Sequence, residues 1–203
     1  DLLEQNREEL AQLETCQSGK IIQIARAFEV DQAAHFLRYY AGWATKITGE
    51  TITPSLPSFG GERYTAFTLR EPVGVVVGIV PWNFSTMIAI WKLASALTTG
   101  CSIIIKPSEF TPLTILRIAE LAIEAGLPRG ALNVVTGTGG AGKALIEHPG
   151  TNKVSFTGSV PTGISVGKTA MDAKLTRATL ELGGKNSVGF LKDVDVGKAA
   201  EGI

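Results

Sequence analysis

A surplus of charge of either sign is missing from this sequence: 19 Lys and Arg stand against 19 Asp and Glu over 203 residues. No basic tract stands out, so nucleic acid is not an expected partner. Cysteine is scarce. Cys16 and Cys101 make no disulfide framework, and neither has the adjacent His or positive loop of an activated thiolate, so both read as structural. The two histidines, His35 and His148, lie far apart and show no metal-ligand spacing, so no metal is expected. Long hydrophobic runs are missing too. The longest apolar stretch, Val73 to Trp82, contains Gly and Pro and is too short to span a bilayer, which argues against a membrane partner. The amino terminus is acidic and helical rather than basic and apolar, so it does not read as a signal peptide, and a cytoplasmic location is expected.

What is present is a globular composition, 44% apolar and 19% charged, with enough apolar material for a sizeable core and 23 glycines for tight turns and close approaches. The length suits one domain, or one domain and part of another. Both ends read as cut: the chain opens inside an amphipathic pattern (Leu2, Leu3, Leu10, Leu13) and closes two turns into a helix that Asp195 would cap.

Helical spacing predicts one helix over residues 1–19, stopped by Gly19, and a second over 29–48, stopped by Gly49. Residues 50–62, with Pro54, Pro57, Gly60 and Gly61, read as a loop. Strands then alternate with helices. Strands are expected at Tyr64 to Arg70, Val73 to Val80, Ser102 to Lys106, Leu132 to Thr136, Val154 to Thr157, from Leu180, and at Ser187 to Leu191. Helices are expected over residues 84–98, from Thr111 (as N-cap) to Gly126, over 141–148, and over 162–172. This alternation means βαβ units: an α/β fold with a Rossmann-like parallel sheet and flanking helices, whose ligands bind beyond the carboxyl ends of the strands.

The residues just after each strand therefore carry the chemistry. Gly137, Gly139 and Gly142 follow a strand and open a helix with dinucleotide-fingerprint spacing, where backbone can approach a pyrophosphate. The acid that usually follows the next strand is missing, and an ordinary glycine-rich turn is the alternative. Lys106 and Glu109 place a base and an acid at one strand end, suited to the two hydroxyls of a ribose; a surface ion pair is the alternative. Asn83 is either a helix N-cap or a neutral donor for a developing oxyanion. Glu181, between Leu180 and Leu182, would be partly desolvated, as suits a general base, unless it faces solvent on an edge strand. Phe84, Met87, Ile88 and Trp91 recur at helical spacing and form either core or the wall of an apolar or aromatic substrate site.

Val80-Pro81-Trp82-Asn83-Phe84, Ile105-Lys106-Pro107-Ser108-Glu109, Phe156-Thr157-Gly158-Ser159 and Leu180-Glu181-Leu182-Gly183-Gly184-Lys185-Asn186 occur in the order and at roughly the spacing of the aldehyde dehydrogenase superfamily, which the whole chain resembles. Within it, Glu62 to Pro72 and Met87 to Trp91 are most similar to phenylacetaldehyde dehydrogenases. The resemblance implies a small-molecule aldehyde as substrate and NAD as cofactor, with NADP as the alternative. Cofactor contacts would come from Ile79, Val80, Pro81, Trp82, Asn83, Lys106, Ser108, Glu109, Gly139, Phe156, Gly158, Ser159, Leu182 and Gly183. Asn83 would hold the aldehyde oxygen, Glu181 would activate water, and Phe84, Met87 and Trp91 would line the substrate site. In that family a cysteine attacks the aldehyde, hydride leaves to the nicotinamide, and water hydrolyses the thioester. The resemblance places that cysteine past Ile203. It implies a fragment comprising the N-terminal helices and cofactor domain (1–179) and the start of a catalytic domain (180–203), from a homodimeric or homotetrameric parent. Dehydrogenases of aliphatic or betaine-type aldehydes, and a nucleotide-binding module without catalysis, remain the other readings.

Overall fold

The computed structural model describes residues 1–57 and 60–201. The first expected helix is two, α1 (Leu2–Gln5) and α2 (Arg7–Ser18), broken at Asn6, whose side-chain amide turns back to the Leu2 carbonyl. Gly19 closes α2 in the left-handed region, at φ 71°. The second begins and ends earlier than its apolar spacing suggests. A short α3 (Ile22–Ile24) runs through a π-helical segment (Ala25–Asp31) into α4 (Gln32–Ala41). Its buried positions are Ala25, Glu29, Val30, Ala33 and Ala34, and three alanines with a glutamate do not read as an apolar stripe. Trp43 and Ile47, which extended the expected helix, are exposed.

Strands β1 (Thr51–Ile52) and β2 (Ala66–Phe67) pair antiparallel across the proline-containing loop. The main sheet follows: β3 (Val75–Ile79), β4 (Ser102–Lys106), β5 (Leu132–Val134), β6 (Lys153–Gly158) and β7 (Arg177–Leu182), in the order β5-β4-β3-β6-β7 and all parallel. The helices between them are α5 (Ser85–Thr98), α6 (Leu113–Glu124), α7 (Gly139–Glu147) and α8 (Val160–Lys174). The chain builds outward from β3 to β5, then returns through α7 to β6 on the other side of β3. The strand order thus reverses between β3 and β6, where a ligand crevice opens in such sheets.

The α5 and α6 face, with α1, α2 and α4 outside it, forms the larger core around Leu10, Ile90, Ile103 and Ile105. On the opposite face α7 and α8 pack Ile146, Val166 and Ala170 on Val154 and Phe156. Full burial of each large aliphatic chain contributes about 1.5–3 kcal/mol. Gly78 permits the close packing of α5: a Cβ there would meet Ile105 Cδ1 at 2.8 Å and the Lys92 stem at 3.3 Å.

Strands β6 and β7 alternate. Val154, Phe156 and Leu180 turn to the α8 face, while Lys153, Ser155, Thr157, Thr179 and Glu181 turn to the α5 side, which α5 covers over β3 and β4 but leaves open over β6 and β7. The strand expected from Leu180 in fact begins at Arg177. The sheet therefore includes residues 180–182, with Leu180 packed against the α8-side core. Residues 187–191 are not a strand, and their side chains are exposed. Asp195 does open a helix, α9 (Val196–Glu201), accepting from the Lys198 amide at 3.1 Å.

Thr111 does not cap α6. Its hydroxyl is buried without a partner, and the helix starts at Leu113, whose amide donates to Gln17 Oε1 of α2 at 2.7 Å. Among the described residues no helix is long and apolar enough to cross a membrane.

Candidate active site

The carboxyl ends of β3, β4, β6 and β7 feed two clefts. The first, of about 680 Å³, lies between α7 and α8 and is lined by Ile79, Lys106, Glu109, Gly139, Gly140, Lys143, Phe156 and Thr162, among others. Lys106 is 5% exposed, and its ammonium makes no hydrogen bond among the described residues. Its one charged partner among the described residues, Glu109 Oε2, stands at 3.6 Å, on a side chain 46% exposed. A buried cation with unused donors beside a half-exposed carboxylate is a ready receptor for a vicinal diol, since carboxylate accepts and ammonium donates.

Two helix starts flank this cleft. Thr138 precedes α7 without a side-chain cap, so the first amides of that helix, at Gly139 and Gly140, face the opening. Ser159 caps α8, accepting from the Thr162 amide at 3.4 Å. Helix N-termini attract phosphate through free amides and the axial dipole. Phe156 is buried beneath, and its ring lies against Gly158. Ser108 serves its own turn instead: its hydroxyl accepts from the Phe110 amide at 3.3 Å, outside the residues lining either cleft. The buried amine and the two helix starts, that of α7 uncapped, suit the diol and pyrophosphate of a dinucleotide.

The second cleft, of about 900 Å³, lies over the half of the sheet that α5 leaves open. Pro81, Trp82, Asn83, Ile88, Trp91, Lys92, Ser155, Thr157, Gly158, Glu181, Leu182, Gly183 and Tyr40 line it. Asn83 is no N-cap: Phe84 occupies that position without a side-chain cap bond, and the exposed Asn83 amide has no hydrogen-bond partner among the described residues. It is a free neutral donor at the cleft edge. Glu181 pairs in register with Thr157 at the end of β7. Its side chain is exposed, not buried as expected, because β7 is the edge strand of the sheet among the described residues.

The apolar stripe divides. Ile88 and Trp91 line the cleft, Trp91 with 41% exposure. Phe84 instead packs against the core and lies under the Lys20 ammonium, 4.2 Å from its ring centre, and Met87 is half-buried outside the lining.

Lys92 and Tyr40 of this cleft were not singled out from the sequence. Lys92 is the sole charged residue of α5, which is the signal that marks it. It is 8% exposed, and its ammonium donates to Ser155 Oγ and Thr157 Oγ1, each at 2.9 Å. Burial pulls its pKa down to about 8, with Glu181's charge opposing and Lys153's adding to the fall. Tyr40 is the second. It packs against Phe36 of the same helix, whose ring lies tilted on Trp91 at 5.7 Å between ring centres. The spacing of Phe36, Tyr39 and Tyr40 on one helix is its signal.

Comparison with known proteins gives a consistent picture. The model of the aldehyde dehydrogenase family matches residues 1–203. Phenylacetaldehyde dehydrogenase of Pseudomonas fluorescens is 53% identical over 203 residues, all of this chain and 40% of that protein. An aldehyde dehydrogenase of Bacillus cereus, solved as its NAD+ complex, superposes with a TM-score of 0.92 at 45% identity, over all of this chain and 40% of its own. A betaine aldehyde dehydrogenase of Staphylococcus aureus, a point mutant solved with NAD+, gives a TM-score of 0.84 at 41% identity, covering 92% of this chain and 36% of its own. The chain spans about 40% of the length of the Pseudomonas relative.

Proposed function

The chain belongs to the aldehyde dehydrogenase family, and from that premise we propose that it forms the cofactor-binding part of an NAD-dependent enzyme that oxidises an arylalkyl aldehyde, such as phenylacetaldehyde, to its acid. The observation that carries this reading is the pair of clefts meeting at one strand reversal. A diol-and-phosphate receptor opens on one side of the β3 and β6 ends, and a free amide donor with a carboxylate opens on the other.

Bound in the first cleft, NAD supplies the hydride acceptor for the oxidation. Lys106 and Glu109 hold the ribose hydroxyls there, and the starts of α7 and α8 hold the pyrophosphate. Asn83 donates to the aldehyde oxygen as negative charge gathers on it, which lowers the barrier because the donor is already in place. Glu181 takes the proton of the water that releases the acid. Lys92, fixed on Ser155 and Thr157, sets a positive charge beside that carboxylate. The nucleophilic thiol comes from residues outside this chain. Trp91 and Tyr40 supply aromatic surface for the substrate, with Phe36 packed behind Trp91, and the 53% identity to a phenylacetaldehyde enzyme, against 41% to a betaine aldehyde enzyme, favours an apolar aldehyde.

The test is NADH formation by the complete enzyme with phenylacetaldehyde, propanal and betaine aldehyde. Preference for phenylacetaldehyde supports the reading. Preference for another aldehyde overturns the substrate class alone, and no turnover of any overturns the activity.

A further inference from the structure

The start of α5, directly after Asn83, is secured from outside its own sequence. Phe84 offers no capping oxygen, and the first turn of the helix would leave its amides without partners. Three residues from another part of the chain take up the task. Glu29 Oε2, from the π-helical segment, accepts from the Met87 amide at 2.8 Å. Glu14 of α2 accepts from Ser85 Oγ at 3.1 and 3.2 Å and from Thr86 Oγ1 at 3.0 Å. Lys20 pairs with Glu29, stands 3.6 Å from Glu14, and covers the ring of Phe84 at 4.2 Å. Each of the four residues that follow Asn83 is therefore held by a member of this group.

The arrangement is expensive for a helix cap. Glu14 and Glu29 are both fully buried, and Lys20, 12% exposed, is their one ammonium partner among the described residues, so two buried carboxyl groups share a single ammonium. The positive end of α5 offsets part of their desolvation. A Ser or Asp at residue 84 would cap the helix for far less desolvation. What the costlier arrangement adds is anchorage of the whole 84–87 turn from its inner side, which leaves the Asn83 amide unpaired at the cleft.

We propose that Glu14, Lys20 and Glu29 are positioning residues for Asn83: they fix the turn that aims its amide at the aldehyde oxygen. This rests on the oxyanion role given to Asn83 above. A preorganised donor loses its value when it shifts by a fraction of an ångström, so loosening the turn costs rate while leaving the Lys106 and Glu109 cleft intact.

The experiment is a double-mutant cycle in the complete enzyme, reading kcat/KM for the aldehyde at saturating NAD and KM for NAD. Four proteins are compared: wild type, Glu29→Gln, Asn83→Ala and the double variant. Glu29→Gln keeps an acceptor for Met87 and removes the charge that holds Lys20. It is expected to lower kcat/KM about tenfold in the Asn83 background but less than about twofold in the Asn83→Ala background, with KM for NAD unchanged. Equal losses in both backgrounds would overturn the positioning role and leave the oxyanion role standing. No loss from Asn83→Ala alone would remove the oxyanion role and the positioning role with it. Thr86→Val deletes a single bond to Glu14 and serves as the milder variant in the same cycle if Glu29→Gln fails to fold.

Discussion

Lys106 Nζ stands 3.6 Å from Glu109 Oε2, near enough for an ion pair and too far for a hydrogen bond. The pair therefore holds its charges together while leaving donors and acceptors unspent toward the α7–α8 cleft. A carboxylate at this place would accept from ribose hydroxyls and repel a 2′-phosphate under the proposed cofactor binding. Replacing Glu109 with Ala should raise the ratio of kcat/KM with NADP to that with NAD by about tenfold, roughly 1.4 kcal/mol. An unchanged ratio would show that the carboxylate does not face the ribose.

Glu181 lies in register with Thr157 at the sheet edge, where a water can reach it. Glu181→Gln in the complete enzyme should slow steady-state turnover by about a hundredfold or more while the first turnover of NADH survives as a burst. Rapid mixing separates the two phases. Loss of the burst together with turnover would move Glu181 from water activation to an earlier step.

Lys92 carries a pH dependence whose sign can be worked out. Its pKa in the folded protein, about 8, lies below the ordinary lysine value of 10.5. Between those values the unfolded chain binds more protons than the folded one, so this contribution to stability rises with pH and levels off above about 10.5. Urea midpoints taken across that window should climb more steeply for the wild type than for Lys92→Met. Parallel curves would mean that the buried ammonium does not titrate there.

Phe156 and Gly158 face the same way on β6, and a Cβ at residue 158 would sit 2.6 Å from the end of the Phe156 ring. Gly158→Ala must displace a buried aromatic, which costs about 1–3 kcal/mol. The expected result is a lower urea midpoint together with weaker NAD binding, since that ring lines the α7–α8 cleft proposed for the cofactor. In the Phe156→Leu background the same substitution should cost much less, because the shorter side chain leaves room for the methyl group.

Much of this architecture was legible in the chain itself. Strands of four to eight residues followed by glycine or proline announced a parallel sheet, and β4 was bounded to the residue because its three isoleucines are flanked by Ser102 and Lys106. The motifs after β3, β4, β6 and β7 could be picked out because ligand chemistry in such a sheet collects at strand ends. Helix starts were read less well. Thr111 looked like a cap and is not one, while Glu29 and Gln17 cap α5 and α6 from elements that no local pattern connects to them.

Local periodicity, motif order and the family were thus determined by sequence alone, since each depends on residues a few positions apart. Tertiary structure decided the rest: that Asn83 stands free of its helix, that Glu181 lies on an open edge, that Lys92 is buried against Ser155 and Thr157, and that two buried glutamates brace the turn behind Asn83. Each of these is a contact, or the lack of one, between elements tens of residues apart. Whether a polar side chain is capped, buried or free depends on what folds against it.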